Sequence, residues 1–263
     1  QAFGLASMTS DDSSLSAASG TWAKLRAHTP ARVGLHRSGV SLTTNSVIEL
    51  RAAHAAARDA VWAPMDVPAL GDALVAIGSP AIEVASRADD RKSYLMRPDL
   101  GRTLEPGSIE RLAERKGTYD LAVVVADGLS AKAAQLHAAP VLEALIPALR
   151  EGWRLAPPVI AEQARVALGD EIALALGATG VLILIGERPG LSATDSLGAY
   201  LTWGVKLGLT DANRNCVSNI RPRGVSYKGA ARQIAYLLGA ARKSGSSGVA
   251  LKNRADEALG PSE

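Results

Sequence analysis

The stretch from Val181 to Trp203 reads VLILIGERPGLSATDSLGAYLTW. An aliphatic run opens into Glu187, Arg188, Pro189 and Gly190, and then into Ser192, Thr194, Asp195 and Ser196. A carboxylate, a guanidinium and several hydroxyls at the end of a buried strand have the chemistry to hold a polar ligand. In open parallel sheets, ligands lie beyond the carboxyl ends of the strands, near helix N-termini. Two more stretches end in the same way: VVVADGLSA, with Asp127, Gly128 and Ser130, and QARVALGDE, with Arg165 and Val166. Together they suit a ligand rich in amide or phosphate groups.

Each of these signals also has a plain structural reading. Asp127–Gly128 serves equally well as a turn. Glu187–Gly190 can be a local ion pair closed by a Pro-Gly turn. Arg165 can be a solvated or interface arginine, and Cys216, in NRNCVSNI, a small buried apolar residue. Spacing alone therefore points to a ligand or partner surface. The four histidines, His28, His36, His54 and His137, show no metal-ligand spacing with one another or with Cys216. No glycine-rich phosphate loop follows a strand, and no Gly-x-Ser-x-Gly elbow occurs. The chain lacks a self-contained catalytic set, so no catalytic residue and no metal ligand is assigned.

The elements that must position these residues follow from periodicity. TNSVIELRAAHAAARDAVW predicts a helix over 46–61, with Thr44 or Asn45 as N-cap, a close-packed Ala face and Pro64 as its stop. Ile48, Ala52, Ala55 or Ala56, and Ala60 recur at helical spacing, leaving Arg51 and Arg58 outward. Residues 64–93 are broken by Pro and Gly. SYLM suggests a short strand, Tyr94 to Met96, stopped by Pro98. Beyond it, strands and helices alternate. YDLAVVVA is a continuously apolar strand, as in a parallel sheet buried on both faces, and a long helix begins near Ser130. PPVIAEQARVAL and GVLILIG supply two more strands, with a helix between them ending at Gly177. The last helix, 226–245, turns Ala230, Ile234, Leu237, Leu238 and Ala241 inward. The expected fold is α/β: a Rossmann-like, mostly parallel sheet flanked by helices, with an N-terminal helical segment.

Composition sets the outer limits. The 263 residues are 47% hydrophobic but only 4% aromatic, so the core is built from Ala, Val, Leu and Ile. Lys and Arg total 29 against 26 acids, a net charge of +3, which offers no concentrated basic stripe for nucleic acid. No apolar run is long enough for a membrane span, and a single cysteine fits a reducing cytosol. QAFGLAS before Met8 reads as a remnant foreign to the fold, and the small, polar TSDDSSLSAASG as a disordered leader. The expected divisions are 1–29 for these two, 30–93 for a helical, partner-contacting segment, and 94–263 for the ligand-binding domain.

Five blocks, in order, carry a resemblance: GVSLTTNSVIELRAAHAAARDAVW, LMRPDLGR, VVVADGLSA, IGERPGLSATDSLGAYLTW and NCVSNIRP. Over roughly residues 31–252 the chain resembles the small subunit of ethanolamine ammonia-lyase. The resemblance implies an adenosylcobalamin-dependent lyase that converts ethanolamine to acetaldehyde and ammonia. It further implies that a large subunit holds the substrate, while the small subunit completes the cobalamin site and is inactive alone. Family cofactor contacts fall on Val166, Glu187 and Cys216. The complex would hold several copies of each subunit, in the cytoplasm or in a bacterial microcompartment, to which such leaders target; the leader here is weakly patterned. None of the four histidines sits in Asp-x-His-x-x-Gly, and His137 is expected well away from the strand ends, so this chain should supply no cobalt ligand. The competing expectations are a stand-alone Rossmann-like enzyme or binding protein for a nucleotide or small phosphate, and a purely structural assembly protein.

Overall fold

A computed structural model describes residues 12–255, so the QAFGLAS segment lies outside the described residues. Two compact units divide the chain, one ending at Ala56 and the other beginning at Ala57. In the first, helix α1 (Asp12–Ala27) is followed by a small antiparallel pair, β1 (Arg37–Ser38) and β2 (Ser41–Leu42). From Asp12 onward, the stretch read as a leader lies in helix α1. Lys24 and Arg26 stand in its last turn, where cations favour the helix dipole. Arg26 also donates to the carbonyls of Val33 and Gly34 at 3.2 and 2.9 Å.

Helix α2 (Thr44–Trp62) forms where the periodicity places it. Its cap is one residue earlier than expected: the Thr43 hydroxyl accepts from the Ser46 amide at 3.4 Å. Ala60 is the residue of this helix that the chain itself buries, and Ile48 is 58% exposed, so the chain itself does not cover the expected Ala face.

The second unit opens with α3 (Val67–Ala76), capped by Asp66, and then β3 (Ile82–Ala85), α4 (Arg91–Met96) and α5 (Pro106–Ala113). Helix α4 replaces the short strand expected at Tyr94–Met96. Asp90 accepts from the Ser93 amide at 2.7 Å, and this N-cap commits the following residues to a helix. The alternating region follows: β4 (Tyr119–Ala126), α6 (Ala131–Leu149), β5 (Val159–Glu162), α7 (Leu168–Leu176) and β6 (Ala178–Gly186). Gly177 ends α7 in the left-handed conformation, as expected. Two further strands, β7 (Leu197–Trp203) and β8 (Asn215–Ile220), precede α8 (Tyr227–Ser244).

Six strands form one sheet in the order β3-β5-β4-β6-β7-β8. The first four in that order run parallel, while β7 is antiparallel to both β6 and β8. The result is the expected mixed α/β architecture, a mostly parallel sheet flanked by helices. The departure is at β6, whose chain returns as a hairpin instead of crossing over through a helix. Side chains alternate between two cores. Leu121, Val123 and Val125 of β4 join Leu182 and Leu184 of β6 beneath α3, α6 and α8. Ala122, Val124 and Ala126 join Val181, Ile183 and Ile185 beneath α5 and α7. Strands buried on both faces explain the continuous apolar runs. Among the described residues, no helix is long and apolar enough to cross a membrane.

Candidate functional site

The carboxyl ends of β4, β5 and β6 lie side by side in this sheet, and the polar residues after each strand meet there. At the end of β4, Asp127 is 3% exposed and does more than shape a turn. Its carboxylate accepts from the amides of Gly128, Gln163 and Ala164 at 2.8, 3.0 and 3.0 Å. Arg91 donates to it at 3.2 Å and to the Gly128 carbonyl at 2.8 Å. Burial pushes the carboxyl up to about 6, against the pull of the Ala164 amide and Arg91. Gln163 has a φ of +51°, a left-handed backbone that costs a non-glycine residue energy. That turn is what aims the Gln163 and Ala164 amides at Asp127.

Tyr94 lies under this cluster. It is fully buried, and its hydroxyl donates to the Ala164 carbonyl at 3.1 Å. The Arg91 and Arg165 guanidiniums stack on its ring at 4.7 and 4.2 Å from the centroid. Burial, reinforced by Asp127, raises the Tyr94 hydroxyl above its ordinary range, so it stays protonated. Arg165 also donates to the Tyr94 carbonyl at 3.0 Å. Two arginines and a tyrosine thus fix the loop that carries Val166.

At the end of β6 the chain passes too close to its neighbour to admit a side chain. A Cβ on Gly186 would collide with the Ser130 carbonyl, and one on Gly128 with the Gly186 carbonyl. The Leu129 amide donates to the Gly186 carbonyl at 2.9 Å, and Ser130 caps α6, accepting from Ala133 at 3.3 Å. Next comes Glu187, half-buried. One carboxylate oxygen accepts from the Ser196 hydroxyl and from the Asn219 amide at 3.3 Å. Asn219 is the second left-handed non-glycine, at φ +59°. Both strained residues therefore present an amide to a site carboxylate.

Cys216 is exposed on β8 and pairs in register with Tyr200 on β7. Burial, offset by the nearby Tyr200 side chain and reinforced by Glu187, pushes the thiol up to about 11. A thiol so far above neutrality is no ready nucleophile. This reading differs from the buried apolar residue expected by default.

These residues surround a cavity of about 360 Å³ whose lining includes Tyr94, Arg165, Val166, Glu187, Arg188 and Tyr200. Val166 and Glu187 share it directly. Cys216 reaches its edge through Tyr200. Arg91, Tyr94, Gln163 and Tyr200 escape sequence reasoning: their motifs are weak, and a cation–π stack leaves no spacing signature. The available signal was the Asp90 cap, which places Arg91 and Tyr94 on one short helix. His137 is also nearer the strand ends than expected. It is buried in α6, its Nδ1 is 2.9 Å from the Tyr227 hydroxyl, and its Nε2 is 3.9 Å from Asp195, in the loop after β6.

Known proteins resemble this chain over most of its length. The model of the family described as Ethanolamine ammonia-lyase light chain (EutC) matches residues 19–252. A protein of Azotobacter vinelandii named ethanolamine ammonia-lyase small subunit is 52% identical over 242 residues, covering 90% of each chain. The small subunit of Ralstonia nicotianae is 48% identical over 254 residues, covering 95% of this chain and 94% of the relative. That of Pseudomonas paraeruginosa is 51% identical over 240 residues, covering 89% of this chain and 88% of the relative.

Proposed function

The chain belongs to the ethanolamine ammonia-lyase light-chain family, and from that premise we propose that it completes an adenosylcobalamin site whose other wall is a large subunit. The observation that carries this reading is the cavity at the ends of β4, β5 and β6, where Val166, Glu187 and the Tyr200–Cys216 pair come together. The donor set fits a corrin, which has a broad apolar face fringed with amide side chains. Val166 and the phenol of Tyr200 offer apolar contact. Among the described residues one Glu187 oxygen has no protein partner, which leaves it open to an amide donor. The left-handed turns at Gln163 and Asn219 hold the loops around Asp127 and Glu187 in advance of binding.

The bound cofactor would supply radical chemistry. This chain's residues would bind and orient it and exclude water from one side. No residue of the cavity combines the acid–base pair or activated nucleophile that the carbon–nitrogen cleavage requires, so the substrate chemistry is assigned to the large subunit. In the mixed complex, ethanolamine and adenosylcobalamin should yield acetaldehyde, whereas this chain without its partner should yield none. Turnover by the purified chain alone would overturn the assignment.

Glu187→Gln keeps the side-chain shape and removes the charge. It should weaken cobalamin binding to the complex by about 1–3 kcal/mol, read as a shift in a spectroscopic titration. An unchanged titration would remove Glu187 from the site.

A further inference from the structure

Beside the first cavity lies a second, of about 380 Å³, lined by Arg102, Arg165, Val166, Thr210, Asp211 and Arg214. The two share Arg165 and Val166. The character of the second is electrostatic. Arg214 is 2% exposed at its side chain. Asp170 grips it at 2.8 and 2.7 Å, and Thr202 accepts from it at 2.7 Å. Its Nε is nonetheless buried without a hydrogen bond, the nearest acid being Asp211 at 3.8 Å. The Nε of Arg165 is also buried and unbonded. Arg102 is exposed, and among the described residues neither it nor Arg165 forms an ion pair.

Asp170 offsets Arg214, and Asp211 is a fully exposed side chain able to swing away. The lining therefore stays net positive. Helix α7 adds to this: it starts from Ala167 with no side-chain cap, so its positive dipole end faces the same space. Two guanidinium Nε–H groups waiting for an acceptor, a third free guanidinium and an uncapped helix start are the donor set for a tetrahedral oxyanion.

We propose that this arginine-lined cavity is a phosphate subsite, filled in the assembled enzyme by the phosphodiester of the cofactor's nucleotide loop. The proposal rests on the cofactor reading above. It assigns the corrin and the nucleotide loop to two adjoining cavities with Val166 on the ridge between them.

The test uses the complex with the large subunit and two corrinoids, cyanocobalamin and dicyanocobinamide, the second lacking the nucleotide loop and its phosphate. Arg102→Met should weaken cobalamin binding about tenfold and leave cobinamide within about twofold, and Arg165→Met should weaken cobalamin binding more than cobinamide binding. Arg165→Lys, which keeps the charge, should recover part of the loss. Arg102 is exposed, so its variant remains readable if Arg165→Met disturbs the Tyr94 stack. Inorganic phosphate should compete with cobalamin and not with cobinamide. Equal losses for both corrinoids, or none for either, would overturn the subsite and leave the cofactor reading intact. Phosphate binding that the arginine variants abolish, with cobalamin affinity unchanged, would assign the cavity to free phosphate and overturn the nucleotide-loop assignment. Failure of the wild-type complex to bind either corrinoid would instead sink the cofactor reading itself.

Discussion

Asp127 has three amide donors and a guanidinium around one buried carboxylate. Asp127→Asn keeps the shape but turns an amide NH2 toward donors. The expected cost is about 1–3 kcal/mol, measured as a lower urea midpoint. An unchanged midpoint would show that the cluster does not hold the loops together. His137 gives the pH dependence. Burial lowers its pKa below the ordinary 6.5, with Asp195 opposing. The unfolded chain takes up a proton near 6.5 where the folded chain resists it. His137 thus contributes stability above that range and loses it as pH falls toward the folded pKa. Asp127, raised to about 6, acts with the opposite sign because its folded form binds the proton first. Comparing wild type with His137→Gln between about pH 7.5 and 5.5 isolates the histidine, and the variant should show the flatter acid decline. Parallel profiles would exclude it. At this scale Val166 and Glu187 were legible because each follows an apolar strand. Tyr94 was not, since a buried ring between two arginines looks, in sequence, like one more apolar residue.

Elements are joined by a second buried pair. Asp170, in the first turn of α7, holds Arg214 at the entrance to β8, with side chains 5% and 2% exposed. Asp170→Ala would leave a buried guanidinium unpaired and should cost about 3–5 kcal/mol. Replacing both residues, as in Asp170→Leu with Arg214→Met, should recover most of that stability. A double variant no better than the single one would mean that packing, and not charge, sets the cost. The helices near Ser130 and over 226–245 were readable from the run of helix-forming residues and the apolar spacing along them. The run at 91–96 was not, because Tyr94, Leu95 and Met96 suit strand or helix until Asp90 is recognised as a cap. The hairpin after β6 was hidden for a different reason: LGAYLTW has the same composition whether its strand runs parallel or antiparallel, and only pairing with β6 decides.

Across the whole molecule, both hydrophobic cores are assembled from residues after Met65. A chain of residues 57–263 should therefore unfold in one cooperative transition, with a midpoint close to that of the full chain. Loss of cooperativity on removing 1–56 would show that the first unit contributes to those cores. Among the described residues, β3 and β8 are the edge strands of the sheet these cores bury, and an edge strand can offer unpaired peptide groups to a passing strand. At one end β3 is four residues long, too short to template much. At the other, the pairing of β7 with β8 slips between Leu197 and Ala199, and the left-handed Asn219 breaks the extended backbone just before β8 ends. The residue that aims an amide at Glu187 thus also spoils the edge for a stranger, so that crowded copies of the chain are discouraged from zipping into fibrils.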